Sequence, residues 1–354
     1  MQHIDNKYPH RRKNILTGEW VLVSPQRTNR PWQGEVSSFE ENVLPAYDPN
    51  CYLCPRNKRA NGDINPDYES SFVFTNDFSS IIENIPESSL NTDDLLIARN
   101  EVGICRVVNF SPRHDLTLAE MTEDEIQKVI LTWKEEFKEL SKNPKINHVQ
   151  IFENKGPIMG NSNPHPHCQI WAQESIPTEP EKELKHFAKY FRKNNRSILS
   201  GYLKLERKLD ERIVYENSFF VVLVPFWATW PYETIIISKK KFASLLEFKS
   251  NEIKGFANAI KVITVKYDNL FKTSFPYSSG IHQAPTDGKQ HNEWHFHMHF
   301  FPPLLRSASI KKYMVGYEML AEPQRDITPE VSAKVLRDLP MVHYKTLNRR
   351  TANV

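Results

Sequence analysis

The chain has 354 residues, 39% hydrophobic and 25% charged, with 20 Phe, 13 Tyr and 7 Trp; this excludes global disorder and suggests two globular domains or one large duplicated unit. Lys plus Arg total 46 against 43 Asp plus Glu, and a net charge of only +3 argues against nucleic acid as a partner. None of the 11 glycines builds G-x-G-x-x-G or G-x-x-x-x-G-K-[ST], so any nucleotide must be gripped by side chains.

The first residues, Met1 to Lys7, contain no apolar secretory core. The longest apolar run, 219–228, holds Pro225 and is too short to span a bilayer. A cytoplasmic protein with no membrane partner is expected. Arg27 and Arg30 are able to clamp phosphates bidentately, although isolated arginines more often serve as solvated charge. Cys51-Tyr52-Leu53-Cys54 is a C-x-x-C placed in a loop rather than at the strand-to-helix junction of a thioredoxin-like pair, so a zinc half-site is favoured over a redox role. Four cysteines are too few and scattered for a disulfide scaffold. His114 and His165 are candidates to complete a Cys2His2 set, a pairing that spacing leaves open.

Strands are predicted at 72–74 and 106–110. Thr122-Glu123-Asp124-Glu125 is a capping box, after which Ile126, Val129, Ile130, Trp133, Phe137 and Leu140 follow a helical stripe. Strands at 148–152 and 169–172 come next, then a weaker helix over about 181–191. In the second half, strands at 219–224 and 234–237 precede a long helix after Ser250, striped by Ile253, Phe256, Ala257, Ile260, Ile263 and Tyr267. A last strand covers 294–301. Strand, strand, long helix and His-x-His strand therefore occur twice, a weak internal repeat of pattern. The order is not the alternation of a doubly wound sheet. An α+β fold with a mainly antiparallel sheet is expected, its halves, 1–177 and 178–354, fused into one body.

The densest chemistry lies in Asn163-Pro164-His165-Pro166-His167-Cys168-Gln169. On a strand, His165, His167 and Gln169 share one face because side chains alternate. The bland alternative is a pair of surface histidines at a strand end. A neutral imidazole attacks phosphorus without a separate base when its other N–H is held by an acceptor, and Gln169 would donate to a phosphoryl oxygen. In Trp294-His295-Phe296-His297-Met298-His299 the alternation puts His295, His297 and His299 on one face, either a metal site or a solvated polar surface.

These segments, together with Arg30-Pro31-Trp32-Gln33-Gly34, Phe152-Glu153-Asn154-Lys155-Gly156 and Pro302-Pro303-Leu304-Leu305-Arg306-Ser307, resemble the galactose-1-phosphate uridylyltransferase family of the histidine-triad superfamily, over residues 20–336. The resemblance implies a duplicated HIT-like fold, a homodimer with shared active sites, and ping-pong exchange of UMP between UDP-glucose or UDP-galactose and hexose 1-phosphates. It matches His167 to the uridylylated nucleophile and Gln169 to the phosphate-binding glutamine. Arg27, Arg30, Asn76, Asp77, Asn154 and Ser162 match nucleotide positions; Lys312, Tyr317, Glu318 and Gln324 match hexose-phosphate positions that reach across from the other subunit. Cys51, Cys54, His114 and His165 match a zinc site, and Glu183, His282, His297 and His299 a second site for iron or zinc. The chain departs from the family in Asn161, where Cys is common, and in the extra His295. Two other readings compete: an adenine-nucleotide phosphorylase of the same superfamily, and a zinc-stabilised nucleotide-binding scaffold without turnover.

Overall fold

The computed structural model describes residues 5–29 and 43–351, so Arg30 and the segment 31–34 lie outside the described residues. Strands β1 (His10–Lys13) and β2 (Trp20–Val23) pair antiparallel at the edge of the molecule. β3 (Phe72–Thr75) leads to an exposed hairpin of β4 (Ser89–Thr92) and β5 (Leu96–Arg99), then to β6 (Gly103–Asn109). Helix α1 (Glu123–Leu140) crosses to β7 (His148–Lys155) and β8 (His167–Gln173). Helices α2 (Thr178–Asn194) and α3 (Ile198–Leu209) follow, then β9 (Ile213–Glu216), β10 (Phe220–Leu223) and β11 (Thr234–Ser238). Helix α4 (Ser250–Phe271) crosses to β12 (Tyr277–His282) and β13 (His297–Phe301). The chain ends through β14 (Leu304–Ser307), β15 (Ile310–Lys311), α5 (Tyr317–Leu320), β16 (Gln324–Arg325), α6 (Pro329–Asp338) and α7 (Tyr344–Thr351).

Nine strands form one antiparallel sheet in the order β3-β6-β8-β7-β12-β13-β11-β10-β9. Read outward from the β7–β12 junction, the left side runs β7, β8, β6, β3 and the right side β12, β13, β11, β10. The repeat of pattern in the sequence is thus a repeat of strand order, and each side inserts its long helix at the same point of the chain. The Thr122 capping box forms, and the predicted stripe from Ile126 to Leu140 is the buried face of α1. That face and α4 cover one side of the sheet, packing on Val149, Ile151, Cys168, Ile170, Met298 and Phe300. The opposite side is covered by helices in the second half, where Phe187 and Leu203 of α2 and α3 meet Val221, Ile235 and Ile237, and in the first half by the 51–54 loop, which packs Leu53 on Val107. In β8 the residues alternate between buried Cys168, Ile170 and Ala172 and part-exposed His167, Gln169 and Trp171. The helices therefore leave the His167 face open. Among the described residues, no helix is long and apolar enough to cross a membrane.

Two expectations need correction. The strand predicted at 294–301 begins only at His297, because Trp294 turns in to pack on Phe187, with ring centroids 5.0 Å apart, and does not pair. Helices α3, α5, α6 and α7 have no counterpart among the predicted elements; α3 and α6 are shorter than the long helices, and burial against the sheet and neighbouring helices sustains them rather than a long local stripe.

The C-terminal segment folds back onto the N-terminus: β16 pairs parallel with β2, and Glu330 of α6 receives Arg12 at 2.8 Å and Arg212 at 2.7 Å. Burial alone would raise the Glu330 carboxyl, but these guanidiniums outweigh it and hold it at about 2, below the ordinary 4.5. A lowered carboxyl contributes stability that is present above about pH 4.5 and lost as pH falls toward 2. Urea unfolding of Glu330→Gln and the parent chain should differ by on the order of 2 kcal/mol at pH 7. The gap should shrink steadily below pH 4.5. A constant gap from pH 7 to pH 3 would refute the assignment.

Candidate active site and metal-binding clusters

The loop from β7 to β8 makes a short 3-10 turn, Pro157–Met159, flanked by Gly156 (φ 88°) and Gly160 (φ 81°), left-handed positions that favour glycine. It delivers His165 to the interior and His167 to the start of β8. The His165 ring donates from Nε2 to the Ser111 carbonyl at 2.9 Å, and its own carbonyl accepts from His167 Nδ1 at 2.7 Å. A carbonyl only accepts, so Nδ1 of His167 carries the proton and Nε2 keeps its lone pair. Burial lowers the His167 pKa, opposed by its bond to His165, and keeps the ring neutral. Phe152, Asn154, Gly160, Asn161, Ser162, His167 and Gln169 line one small concavity here.

Neighbouring groups orient the amides of this concavity. Trp171, which can only donate, gives its indole N–H to Gln169 Oε1 at 3.0 Å and leaves Gln169 Nε2 unengaged by it. Ser278 of β12 donates to Asn154 Oδ1 at 2.7 Å, so the second half of the sheet supports a first-half side chain.

The other predicted positions divide. Asn76 follows β3, two strands from β8, and its Oδ1 accepts the Phe78 N–H at 2.9 Å. Asp77 pairs with Arg59 at 3.4 Å, and Arg59 lies over the Phe74 ring. Arg27, Lys312, Glu318 and Gln324 are gathered elsewhere: Arg27 meets Asp326 at 3.2 Å, Gln324 donates to the same Asp326 at 2.7 Å, and Lys312 contacts both Glu318 and Gln324. Tyr317, at the start of α5, is half-exposed. None of these residues lines the His167 concavity in the described part of this one chain. Neither Asp326 nor Arg59 belongs to a sequence motif; the β2–β16 pairing is what brings Asp326 to Arg27.

Two clusters of metal-ligating groups are formed. Ligand atoms of Cys51, Cys54, His114 and His165, all buried, lie within 4.8 Å of one another, as do those of Glu183, His282, His297 and His299. In the first, Cys54 Sγ is 3.7 Å from His114 Nδ1 and 3.6 Å from His165 Nδ1. Burial pushes the His165 ring down to about 4, which keeps its Nδ1 lone pair available, and two soft thiols with two imidazoles are a donor set that fits a tetrahedral metal ion such as zinc. In the second, His282 Nδ1 meets Glu183 at 2.9 Å, while His297 Nε2 stands 3.4 Å from Glu183 and makes no hydrogen bond although fully buried. A buried nitrogen without a partner, aimed at a carboxylate and two imidazoles, fits a cation between them.

His295 does not belong to that cluster. Its Nε2 donates to the Ser238 carbonyl at 2.7 Å and its Nδ1 faces Ser197 Oγ at 2.9 Å, while its carbonyl accepts from His297 Nδ1 at 2.8 Å. The strand expected to place it beside His297 starts too late, and the ring turns toward α3. The pair His295/His297 thus repeats the hydrogen bonds of His165/His167. The difference is the freed nitrogen: that of His167 faces the concavity, and that of His297 faces Glu183.

Residues 1–177 match a family profile described as "Galactose-1-phosphate uridyl transferase, N-terminal domain", and residues 183–348 match the corresponding C-terminal domain. A galactose-1-phosphate uridylyltransferase of Haemophilus influenzae is 49% identical over 96% of this chain and 97% of its own length. The Saccharomyces cerevisiae protein of the same name is 47% identical over the same shares. Among solved structures, a uridylyltransferase superposes with a TM-score of 0.73 at 25% identity, covering 92% of this chain and 97% of the other. An Arabidopsis thaliana ADP-glucose phosphorylase with bound ADP-glucose has a TM-score of 0.74 at 24% identity, covering 94% and 99%, a likeness of fold.

Proposed function

The chain belongs to the galactose-1-phosphate uridylyltransferase family, and on that premise we propose that it exchanges UMP between UDP-glucose and galactose 1-phosphate through a uridylyl group carried by His167 Nε2. The observation that carries this reading is the 2.7 Å hydrogen bond from His167 Nδ1 to the His165 carbonyl, which leaves a neutral ring with one nucleophilic nitrogen. In the first half-reaction Nε2 attacks the α-phosphorus of UDP-glucose, a P–N bond forms, and the P–O bond to glucose 1-phosphate breaks with its electrons leaving on that phosphate. In the second, a phosphate oxygen of galactose 1-phosphate attacks the same phosphorus, UDP-galactose leaves, and His167 regains its lone pair. No proton need leave Nδ1 in either step. The leaving phosphate needs no strong acid, which accords with the polar but uncharged lining of the concavity.

Gln169 Nε2 donates to a non-bridging oxygen as charge develops, Asn154 and Ser162 bind nearby phosphate oxygens, and Arg27, Arg30, Asn76 and Asp77 serve the nucleotide. Lys312, Tyr317, Glu318 and Gln324 serve the hexose phosphate of the partner subunit in a homodimer; their separation from His167 within one chain supports this. Cys51, Cys54, His114 and His165 hold zinc, and Glu183, His282, His297 and His299 hold iron or zinc, each a structural ion; a filled tetrahedral shell offers cross-linking and no open position. The boundary of the two halves is placed at 177/178, and the setting is the cytoplasm.

The test is to incubate the protein separately with UDP-glucose and ADP-glucose and to weigh the intact chain. One uridylyl group with UDP-glucose alone is the expected outcome. Adenylylation alone would reverse the base assignment, and no adduct with either would sink the covalent mechanism. Gln169→Ala should slow uridylylation on the order of 10²-fold with little change in nucleotide affinity. Unchanged turnover with weaker binding would move Gln169 to ground-state recognition.

A further inference from the structure

We propose that Asn163 is a positioning residue that couples the Cys51 metal ligand to the His167 nucleophile through the backbone of His165. The proposal rests on, and deepens, the uridylyl-transfer reading of this site.

Asn163 lies in the β7–β8 loop, is 5% exposed, and uses both ends of its amide. Oδ1 accepts the His165 backbone N–H at 2.9 Å, which assigns the oxygen, since a backbone N–H requires an acceptor. Cys51 Sγ stands 3.5 Å from both Nδ2 and Oδ1 of this amide, and of the two contacts only the one from Nδ2 is open to a deprotonated sulfur, as an N–H···S bond. A ligating thiolate can only accept, and this one receives a second N–H from the Leu53 backbone at 3.4 Å. One residue further along the same path, the His165 carbonyl accepts from His167 Nδ1 at 2.7 Å. The two polar groups of a single backbone residue are therefore held by the partner of a metal ligand on one side and by the nucleophile on the other. Asn161 extends the support: its Oδ1 accepts the Asn163 N–H at 3.1 Å, so two Asx turns stand in series before the histidines.

The role is positioning rather than catalytic. Asn163 is not among the residues lining the His167 concavity, and its effect on transfer runs through the angle at which His165 presents its carbonyl. Groups that orient ligating atoms typically change metal affinity or activity by about 10- to 100-fold when removed.

Two substitutions separate the two ends of the amide. Asn163→Asp preserves the shape and the acceptor for His165 N–H but replaces the donor to sulfur with a carboxylate oxygen. Asn163→Ala removes both. Zinc-loaded full-length protein is mixed with a chromogenic chelator, and zinc release should quicken about 10-fold or more in both variants. Single-turnover uridylylation by UDP-glucose, taken before zinc is lost, should slow on the order of 10-fold in Asn163→Ala with an unchanged half-saturating UDP-glucose concentration, and distinctly less in Asn163→Asp. Parent-like zinc release in Asn163→Asp overturns the proposal, and so does equal slowing of uridylylation in both variants. If Asn163→Ala does not fold, zinc release from the isosteric Asp variant alone decides. If the parent chain takes no uridylyl group, the functional reading fails by itself, and the zinc-release comparison still tests the tie to Cys51.

Discussion

His167→Asn should abolish the covalent uridylyl adduct and lower hexose-1-phosphate exchange on the order of 10⁵-fold or more, with the melting temperature unchanged. The magnitude follows from the role: without a nucleophile the double displacement has no intermediate, and the remaining donors can only bind. Asn is the informative replacement because its amide can still donate to the His165 carbonyl, where His167 Nδ1 donates at 2.7 Å, so the loop keeps its tie while the attacking lone pair is gone. Stability should hold because the His167 side chain is part-exposed on the open face of β8, outside the core that α1 and α4 cover. The measurements are intact mass after UDP-glucose, steady-state exchange, and thermal unfolding on one preparation. An adduct of full stoichiometry in the variant would show that another group carries the nucleotide.

Replacing Cys51 and Cys54 together by Ser should release the metal of the first cluster and cost several kcal/mol of stability, about 10 °C or more in melting temperature, with activity lost as a consequence. Four protein donors within 4.8 Å of one another would fill the tetrahedral shell of the zinc proposed above and leave no position for a phosphate oxygen. On that reading the cluster's role is mechanical. It fastens the 51–54 loop and the 114 turn to His165, whose carbonyl sets the His167 ring. Thermal unfolding, metal content and turnover measured on the same stripped sample separate the alternatives. Stability should fall first, with turnover following the fraction that remains folded. A fully folded, metal-free protein whose turnover returned in strict proportion to added zinc would identify the ion as catalytic.

Local pattern determined a good deal by itself. The capping box at Thr122 and the stripe ending at Leu140 specified α1, because a free helix amide and a 3.6-residue period are satisfied within a few residues of chain. Strand alternation placed His167 and Gln169 on one face and Cys168 and Ile170 on the other, since that geometry belongs to any strand. The same rule failed in the second half at His295, where the strand's starting point is set by Trp294 packing on Phe187 and not by the run of alternating letters. Convergence of distant residues was likewise beyond local pattern. Cys54 meets His165 across 111 positions, and Arg27 meets Asp326 only because β16 lies parallel to β2. Such meetings depend on the order in which strands enter the sheet and on which face the helices cover, choices made by burying apolar surface over the whole chain. Spacing in the sequence carries no record of them, and so the shared face of His167 and Gln169 was legible in a few residues while the clusters beside it were decided by the tertiary structure.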